Sequence, residues 1–322
     1  MELLLLASAT LLLSLLLVRM FLVVSRQRLL DLPGDRSSHT RPTPTGGGLP
    51  AVAAWVVVGG FGVCLGAVQA DAIWWAATGA TIALAALGIA DDARGLSARL
   101  RYGIHVLVAT GVVCLVGPPA SPASLPVAIR VVGAAVFLTA LINMYNFMDG
   151  IDALVGGTGA ITLSMLAVIT ASPLWWLPAA AYTGFLVFNI PPARIFMGDA
   201  GSTVMGALIG IAVLGGRLEL HPLQLIVLTP LVGDATYTLF RRVLRGENIF
   251  RAHHSHLYQR LLRAGYRHGT ISACYMATTL ALGLVTLQPN VAPKVAALFL
   301  CALAVIGLEI HLLRRGVPFT RS

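Results

Sequence analysis

A succession of long apolar runs restricts this chain more than any other feature. A helix needs roughly 20 apolar residues to cross a hydrocarbon layer, with about 17 to 25 as the working range. Runs near that length fall at 3–24, 48–68, 72–90, 101–117, 125–142, 155–171, 174–189, 203–216, 222–240, 270–288 and 293–313. Only Ser172-Pro173 divides the sixth run from the seventh, and the eighth is short and glycine-rich, so ten spans are as defensible as eleven. The reading is an all-α integral membrane protein with ten or eleven transmembrane helices, its residues 1–322 forming a single polytopic domain. Charge content agrees: 11% of residues are charged, where a soluble domain carries roughly 25%.

The formal net charge of +9 would suggest nucleic acid as a partner of a soluble protein. Its distribution argues for membrane topology instead. The first run has no basic residue before it, and Arg19, Arg26 and Arg28 lie at its end or beyond, so it reads as a retained helix with its N-terminus outside. Eleven crossings then place 25–47, 91–100, 143–154, 190–202, 241–269 and 314–322 on the cytoplasmic side, where 17 of the 22 Lys and Arg residues lie. Arg130, Arg217 and Lys294 alone fall near the other face. This asymmetry is the positive-inside pattern, and it expects a multi-pass protein with membrane lipids, not nucleic acid, as its surroundings. Cys64, Cys114, Cys274 and Cys301 stand singly in apolar runs and read as small core residues.

The same parity brings five polar clusters to one face. Asp35-Arg36-Ser37-Ser38-His39, followed by Arg41-Pro42-Thr43-Pro44-Thr45-Gly46-Gly47-Gly48, sets glycine N–H groups at a helix start, a geometry suited to phosphate. Asp91-Asp92 end the third run, with Arg94, Arg99 and Arg101 beyond; adjacent carboxylates point about 100° apart on a helix and suit two tasks. Asn143, Asn146, Asp149 and Asp152 recur every third residue, so on a helix Asp149 and Asp152 would share a face and reach one ligand. These are oxygen donors of the kind Mg²⁺ takes. Asp199 stands between two glycines in Arg194-Ile195-Phe196-Met197-Gly198-Asp199-Ala200-Gly201-Ser202, where it could meet a metal or, with Ser202, cap the following helix. The long segment 241–269 carries Arg241, Arg242, Arg245, Arg251, His253, His254, His256, Arg260 and Arg263. Arginines interleaved with histidines and free of cysteine suit phosphate better than zinc.

In this order the clusters resemble the polyprenyl-phosphate N-acetylhexosamine-1-phosphate transferase family: Asp91-Asp92, then Asn143-x-x-Asn146-x-x-Asp149-Gly150-x-Asp152, then Phe196-x-Gly198-Asp199-x-Gly201-Ser202, then His253-His254-x-His256. The likeness spans most of the chain. It implies transfer of an N-acetylhexosamine 1-phosphate from a UDP-N-acetylhexosamine to undecaprenyl phosphate, releasing UMP and starting a cell-envelope glycan such as O-antigen. It also implies Mg²⁺, with Mn²⁺ as a substitute, and a cytoplasmic active site to which 241–269 contributes.

Under this resemblance Asp199 is the leading Mg²⁺ ligand and Asp92 a second. Asp91, Asp92, Asp149 and Asp152 form the catalytic set, and either Asp91 or Asp92 could strip the last proton from the lipid phosphate. Asn143, Asn146, Arg194, Arg251, His253, His254 and His256 bind substrate. Two departures bear on the donor sugar: Asp91-Asp92-Ala93-Arg94-Gly95 lacks the acidic or lysine fifth residue often found, and the histidine cluster reads His-His-Ser-His. The latter form looks more like O-antigen and exopolysaccharide initiators, which suggests UDP-N-acetylglucosamine or a deoxy-N-acetylhexosamine such as N-acetylfucosamine or N-acetylquinovosamine. The alternative is an ion-coupled membrane transporter, which predicts midplane charges and internal repeats; the charges here crowd one face and no repeat is visible. Oligomeric state stays open, a homodimer being one option.

Overall fold

The computed structural model describes residues 2–25, 29–32, 41–119, 124–215, 222–248 and 253–319. Each expected apolar run contains helix. Among the described residues, seven helical stretches are long and apolar enough to cross a membrane: α1 (Glu2–Ser25), α3 (Ala72–Arg94), α4 (Ala98–Val116), α5 (Val127–Met148), the stretch Pro222–Leu244, α11 (His268–Thr286) and α12 (Val291–Arg314). Shorter apolar helices are α2 (Gly48–Cys64), α6 (Leu154–Ile169) and α8 (Asp199–Leu214), and α7 covers Trp176–Asn189. The chain is thus a multi-pass membrane protein.

The short helices are the inner ones. Every residue of α8 from Ala200 to Ala212 is buried, and its sequence is apolar or small all the way round, the composition of a helix with neighbours on every side. It touches α2, α3, α4, α5 and α6. Small residues bring those backbones together: a Cβ on Gly48 would lie 2.4 Å from the Gly201 Cα, and one on Gly88 would lie 2.7 Å from the Ala200 Cα. By contrast α12 buries only Lys294 and Leu312 and offers its apolar length to lipid. The cysteines depart from expectation. Cys64, Cys114 and Cys274 are exposed and Cys301 half-buried, because they sit on outward faces of their helices rather than in the core.

The ninth run is not one helix. A 3₁₀ stretch (Pro222–Leu228) passes through a π turn (Thr229–Gly233) into α9 (Asp234–Leu244). Pro230 lies in that π turn, and a proline has no N–H for the ladder and displaces the preceding turn. After α9 comes a short helix, α10 (Leu257–Arg263). The arginines here serve the fold. Arg260 pairs with both oxygens of Glu309, Arg241 pairs with Glu309 at 2.9 Å, and Arg242 pairs with Glu247 at 3.0 Å. Arg245 bonds the Phe319 carbonyl, and Arg263 bonds the His254 carbonyl. The Phe319 ring is packed by the guanidinium groups of Arg241, Arg245 and Arg260 at 4.3, 4.6 and 5.6 Å. The phosphate reading of this arginine series therefore gives way, at these five positions, to ion pairs and carbonyl contacts.

A two-residue ladder, Leu30–Asp31 (β1) antiparallel to Thr43–Pro44 (β2), leads into α2. Here too the expectation changes. The Gly47 and Gly48 N–H groups are not free for phosphate; they donate to the carbonyls of Phe196 and Met197 at 2.9 Å each, clamping the start of α2 onto the loop before α8. Asp35, Arg36, Ser37, Ser38 and His39 lie outside the described residues.

Candidate active site

The ends of α3 and α5 and the starts of α4 and α8 meet at one end of the bundle, and each brings a polar side chain. Arg101, on the first turn of α4, reaches Asp91 on the last turn of α3 at 2.8 Å and Asp199 at the head of α8 at 3.1 Å. The other Asp199 oxygen accepts from Asn146 Nδ2 at 3.0 Å, and the same amide reaches Ser202 Oγ at 3.1 Å. Asp199 is the first helical residue of α8, where its charge complements the helix dipole. Neither Asp199 nor Ser202 caps α8; that position belongs to Gly198, and Ser202 donates to the Gly198 carbonyl instead.

Two cavities open beside this cluster, and Asp199 lines both. The larger, about 580 Å³, has apolar walls from Leu84, Leu87, Ala140, Met144, Phe147 and Leu239 and a polar end formed by Asp91, Arg101, His105, Asn143, Asn146, Asp199, His253 and His256. The smaller, about 280 Å³, is lined by Asp31, Thr45, Asp149, Asp152, Asn189, Asp199, Gln259 and His268, among others. Asn143 Oδ1 accepts from His105 Nδ1 at 3.2 Å and its Nδ2 donates to the Thr139 carbonyl, so its orientation is fixed.

The Asn/Asp stripe holds only as far as the helix does. α5 stops at Met148, with Asp149 as its C-cap, and Ala153 takes a left-handed conformation (φ 63°) before α6. Asp149 and Asp152 therefore do not share a helix face, although both line the smaller cavity. A residue from far along the chain packs on the break: Tyr258 rests on Gly150, whose Cβ would lie 2.2 Å from the tyrosine oxygen, and donates to the Phe147 carbonyl at 3.3 Å. Burial, then the Asp199 charge, pushes the Asp149 carboxyl up to about 8.

Asp152 is tied down. One oxygen accepts from Ala193 N at 3.0 Å and the other faces His268 Nδ1 at 3.2 Å, while its carbonyl accepts from Ser272. Asn189 holds the same joint, bonding Ala153 N and the Ile195 carbonyl at 2.9 Å each.

The remaining sequence candidates divide. His253 and His256 line the larger cavity, with ring centroids 4.8 Å apart. Burial, and then His256, Arg242 and His254 nearby, push His253 down to about 3, so its ring is neutral at physiological pH. His254 is exposed and lines neither cavity. Asp92 also lines neither, standing beside Asp91 on the last turn of α3. Arg194 folds back over the Phe188 ring at 4.7 Å and bonds the Val187 carbonyl, away from both cavities. Arg251 lies outside the described residues.

Arg101, His105, Asn189, Asp234 and His268 were not among the sequence candidates. Arg101 and His105 lie one turn apart just past the carboxylate pair, a spacing that marks one helix face. Asp234 had the clearest signal: a lone carboxylate inside the ninth apolar run, where a charge is expensive and by default functional.

Apolar helices that gather carboxylates, amides and an arginine around paired cavities at one end define a multi-pass membrane protein with a site for a charged ligand. The chain belongs to glycosyl transferase family 4, which it matches over residues 74–217. It is 31% identical to a probable undecaprenyl-phosphate N-acetylglucosaminyl 1-phosphate transferase of Bacillus subtilis, over 74% of this chain and 71% of the relative. It is 28% identical to a decaprenyl-phosphate N-acetylglucosaminephosphotransferase of Mycobacterium tuberculosis, over 92% of this chain and 85% of that one. Against the undecaprenyl-phosphate alpha-N-acetylglucosaminyl 1-phosphate transferase of Escherichia coli K12 the identity is 27%, over 81% and 76%.

Proposed function

We propose that this protein transfers N-acetylhexosamine 1-phosphate from a UDP-sugar to undecaprenyl phosphate, releasing UMP, at the cytoplasmic face of a bacterial inner membrane. The observation that carries the reading is Asp199 standing in the wall between an apolar cavity and a small polar one. A lipid phosphate and a nucleotide diphosphate are a matching pair of ligands: one needs hydrocarbon walls with a polar end, the other polar walls throughout. The relatives' names support UDP-N-acetylglucosamine as the donor and initiation of an envelope glycan as the role.

The donor set fits a hard divalent cation. Asp199, Asp149 and Asp91 offer oxygen only, and a cation beside Asp149 would offset both the burial and the nearby Asp199 charge that push its carboxyl upward. Among the described residues no three His, Cys, Asp or Glu side chains cluster closely enough to hold a metal alone. Mg²⁺ typically takes one or two carboxylates and fills its shell with water and substrate phosphate, so Asp199 and Asp149 would hold it. When bound, Mg²⁺ supplies charge neutralisation for two anionic substrates.

The chain's own residues do the rest. Arg101 brings a positive charge to the polar end of the larger cavity, and Asp91, accepting from both Arg101 and the Leu96 N–H at 2.7 Å, holds it there. Asn146 fixes the Asp199 carboxylate from the other side. His253 and His256 line the cavity as ring donors for phosphate oxygens. A phosphate monoester is mostly ionised at neutral pH, so attack on the β-phosphorus needs no strong base, and the geometry spends Asp91 on anchoring. Purified protein given UDP-N-acetylglucosamine and undecaprenyl phosphate should release UMP and form a sugar diphospholipid, and chelating divalent cations should stop it. Solute uptake without UMP release would instead favour the transporter.

A further inference from the structure

Asp234 is a sealed carboxylate that the reaction outlined above does not use. Its side chain is 1% exposed. One oxygen accepts from Leu257 N at 2.8 Å and Thr238 Oγ1 at 3.2 Å; the other accepts from Tyr258 N at 3.2 Å and the Tyr275 hydroxyl at 2.7 Å. Neither cavity reaches it, and the neighbouring side chain that does line a cavity is His256. That ring is enclosed, with Nδ1 facing the Asp234 carboxylate at 3.7 Å, an ion-pair distance, and in no hydrogen bond. The Tyr258 ring stacks on His256, centroids 5.9 Å apart and planes 18° from parallel, and His256 lines the larger cavity.

We infer that Asp234 is a positioning residue for His256: it fixes the ring with Nδ1 toward the buried carboxylate, leaving Nε2 as the nitrogen presented to a phosphate oxygen in the cavity. A histidine has two ring nitrogens, and the partner of one decides which tautomer and which face the other offers. An anionic partner under Nδ1 favours a proton there and steadies any positive charge the ring takes up beside a phosphate. The same carboxylate accepts the N–H groups of Leu257 and Tyr258, the first two residues of α10, so one group sets the backbone entry and the ring together. Tyr275, on α11, holds the carboxylate from below. Removing a carboxylate that orients a ligating histidine costs on the order of 10- to 100-fold in comparable sites.

The inference rests on the proposed transfer reaction, and a double-mutant cycle separates the two. UMP release is measured for wild type, Asp234→Asn, His256→Ala and the pair, with Tyr275→Phe alone and in the His256→Ala background. Wild type without activity would sink the proposed reaction and leave Asp234 to a second readout, the ¹⁵N shifts of His256, in which Asp234→Asn should change the Nδ1/Nε2 tautomer balance. With wild type active, Asp234→Asn should lose about 10- to 100-fold and Tyr275→Phe less, both mainly in kcat, and neither should lower activity further once His256 is alanine. Losses that multiply in the double variants, or an unchanged His256 signature in Asp234→Asn, overturn the inference. Should Asp234→Asn fail to fold, Tyr275→Phe carries the same cycle, and multiplicative losses there overturn it equally.

Discussion

Asp199 and Asp234 are the same residue in opposite circumstances. Asp199 has a side chain 40% exposed, opens on two cavities, and is held by one arginine and one amide. Asp234 is 1% exposed and is held by two backbone N–H groups and two hydroxyls. Partners that are themselves half-exposed can be exchanged for a ligand at little cost, whereas a sealed carboxylate with fixed donors loses one to three kcal/mol for each partner removed, on the order of a buried hydrogen bond. Openness marks the group that meets substrate, and saturation marks the group that holds another in place.

The sharpest way to break this contrast is Asp199→Asn, which keeps shape and removes charge. It should lower UMP release about 10²- to 10³-fold, the scale of losing one electrostatic group at a reacting centre, with the thermal midpoint in detergent almost unmoved. A large drop in the midpoint would place Asp199 with the sealed class. Next comes Arg260→Ala in the closed joint of α10 and α12, which leaves Glu309 to Arg241 alone; unfolding titrations should show a loss of about 2 kcal/mol, the scale of a hydrogen bond to a charged group, with residual activity scaling only with the folded fraction. Gly150→Ala tests the join between the two regions. Its new Cβ meets the Tyr258 oxygen, and overpacking of this kind costs about 1–3 kcal/mol; Tyr258→Phe should recover part of it.

A pH series sharpens the contrast more gently. Asp149 titrates near 8 in the folded protein against an ordinary carboxylate value near 4, because burial and the Asp199 charge favour its protonated form. Its contribution is therefore fully present at low pH and lost as pH rises from about 4 through about 8. In cation-free buffer the thermal midpoint should decline across that window, and Asp149→Asn should flatten the decline. The smallest effect belongs to Arg194→Ala: a side chain folded onto Phe188 outside both cavities should leave turnover within about twofold, and a larger loss would return Arg194 to the substrate-binding set.

The helices were legible because apolar length is a local property, readable from each run alone. The gathering of Asp91, Asn146 and Asp199 at one end was legible for a related reason: successive crossings alternate direction, so parity assigns ends. What escaped was set by distant partners. Nothing near Asn143–Asp152 announces that Tyr258 will pack on Gly150 where α5 stops. Nothing near Gly46-Gly47-Gly48 shows that two of its N–H groups are spent on Phe196 and Met197. Arg241, Arg245 and Arg260 looked like phosphate ligands because their partners, Glu309 and Phe319, lie on another helix and just past its end. Asp234 was legible and passed over, a single letter in an apolar run.

The tight crossings around α8 also bear on how the protein is made. α8 is buried along nearly its whole length, yet it leaves the ribosome after α2, α3 and α5, which flank it. The close fit at Gly48 and Gly88 against Gly201 and Ala200 is therefore made only when α8 arrives. Assembly of the charged cluster is thereby postponed until the bundle has its centre, and a nascent chain halted before residue 199 carries Asp91 and Asn146 without the carboxylate they were set to meet.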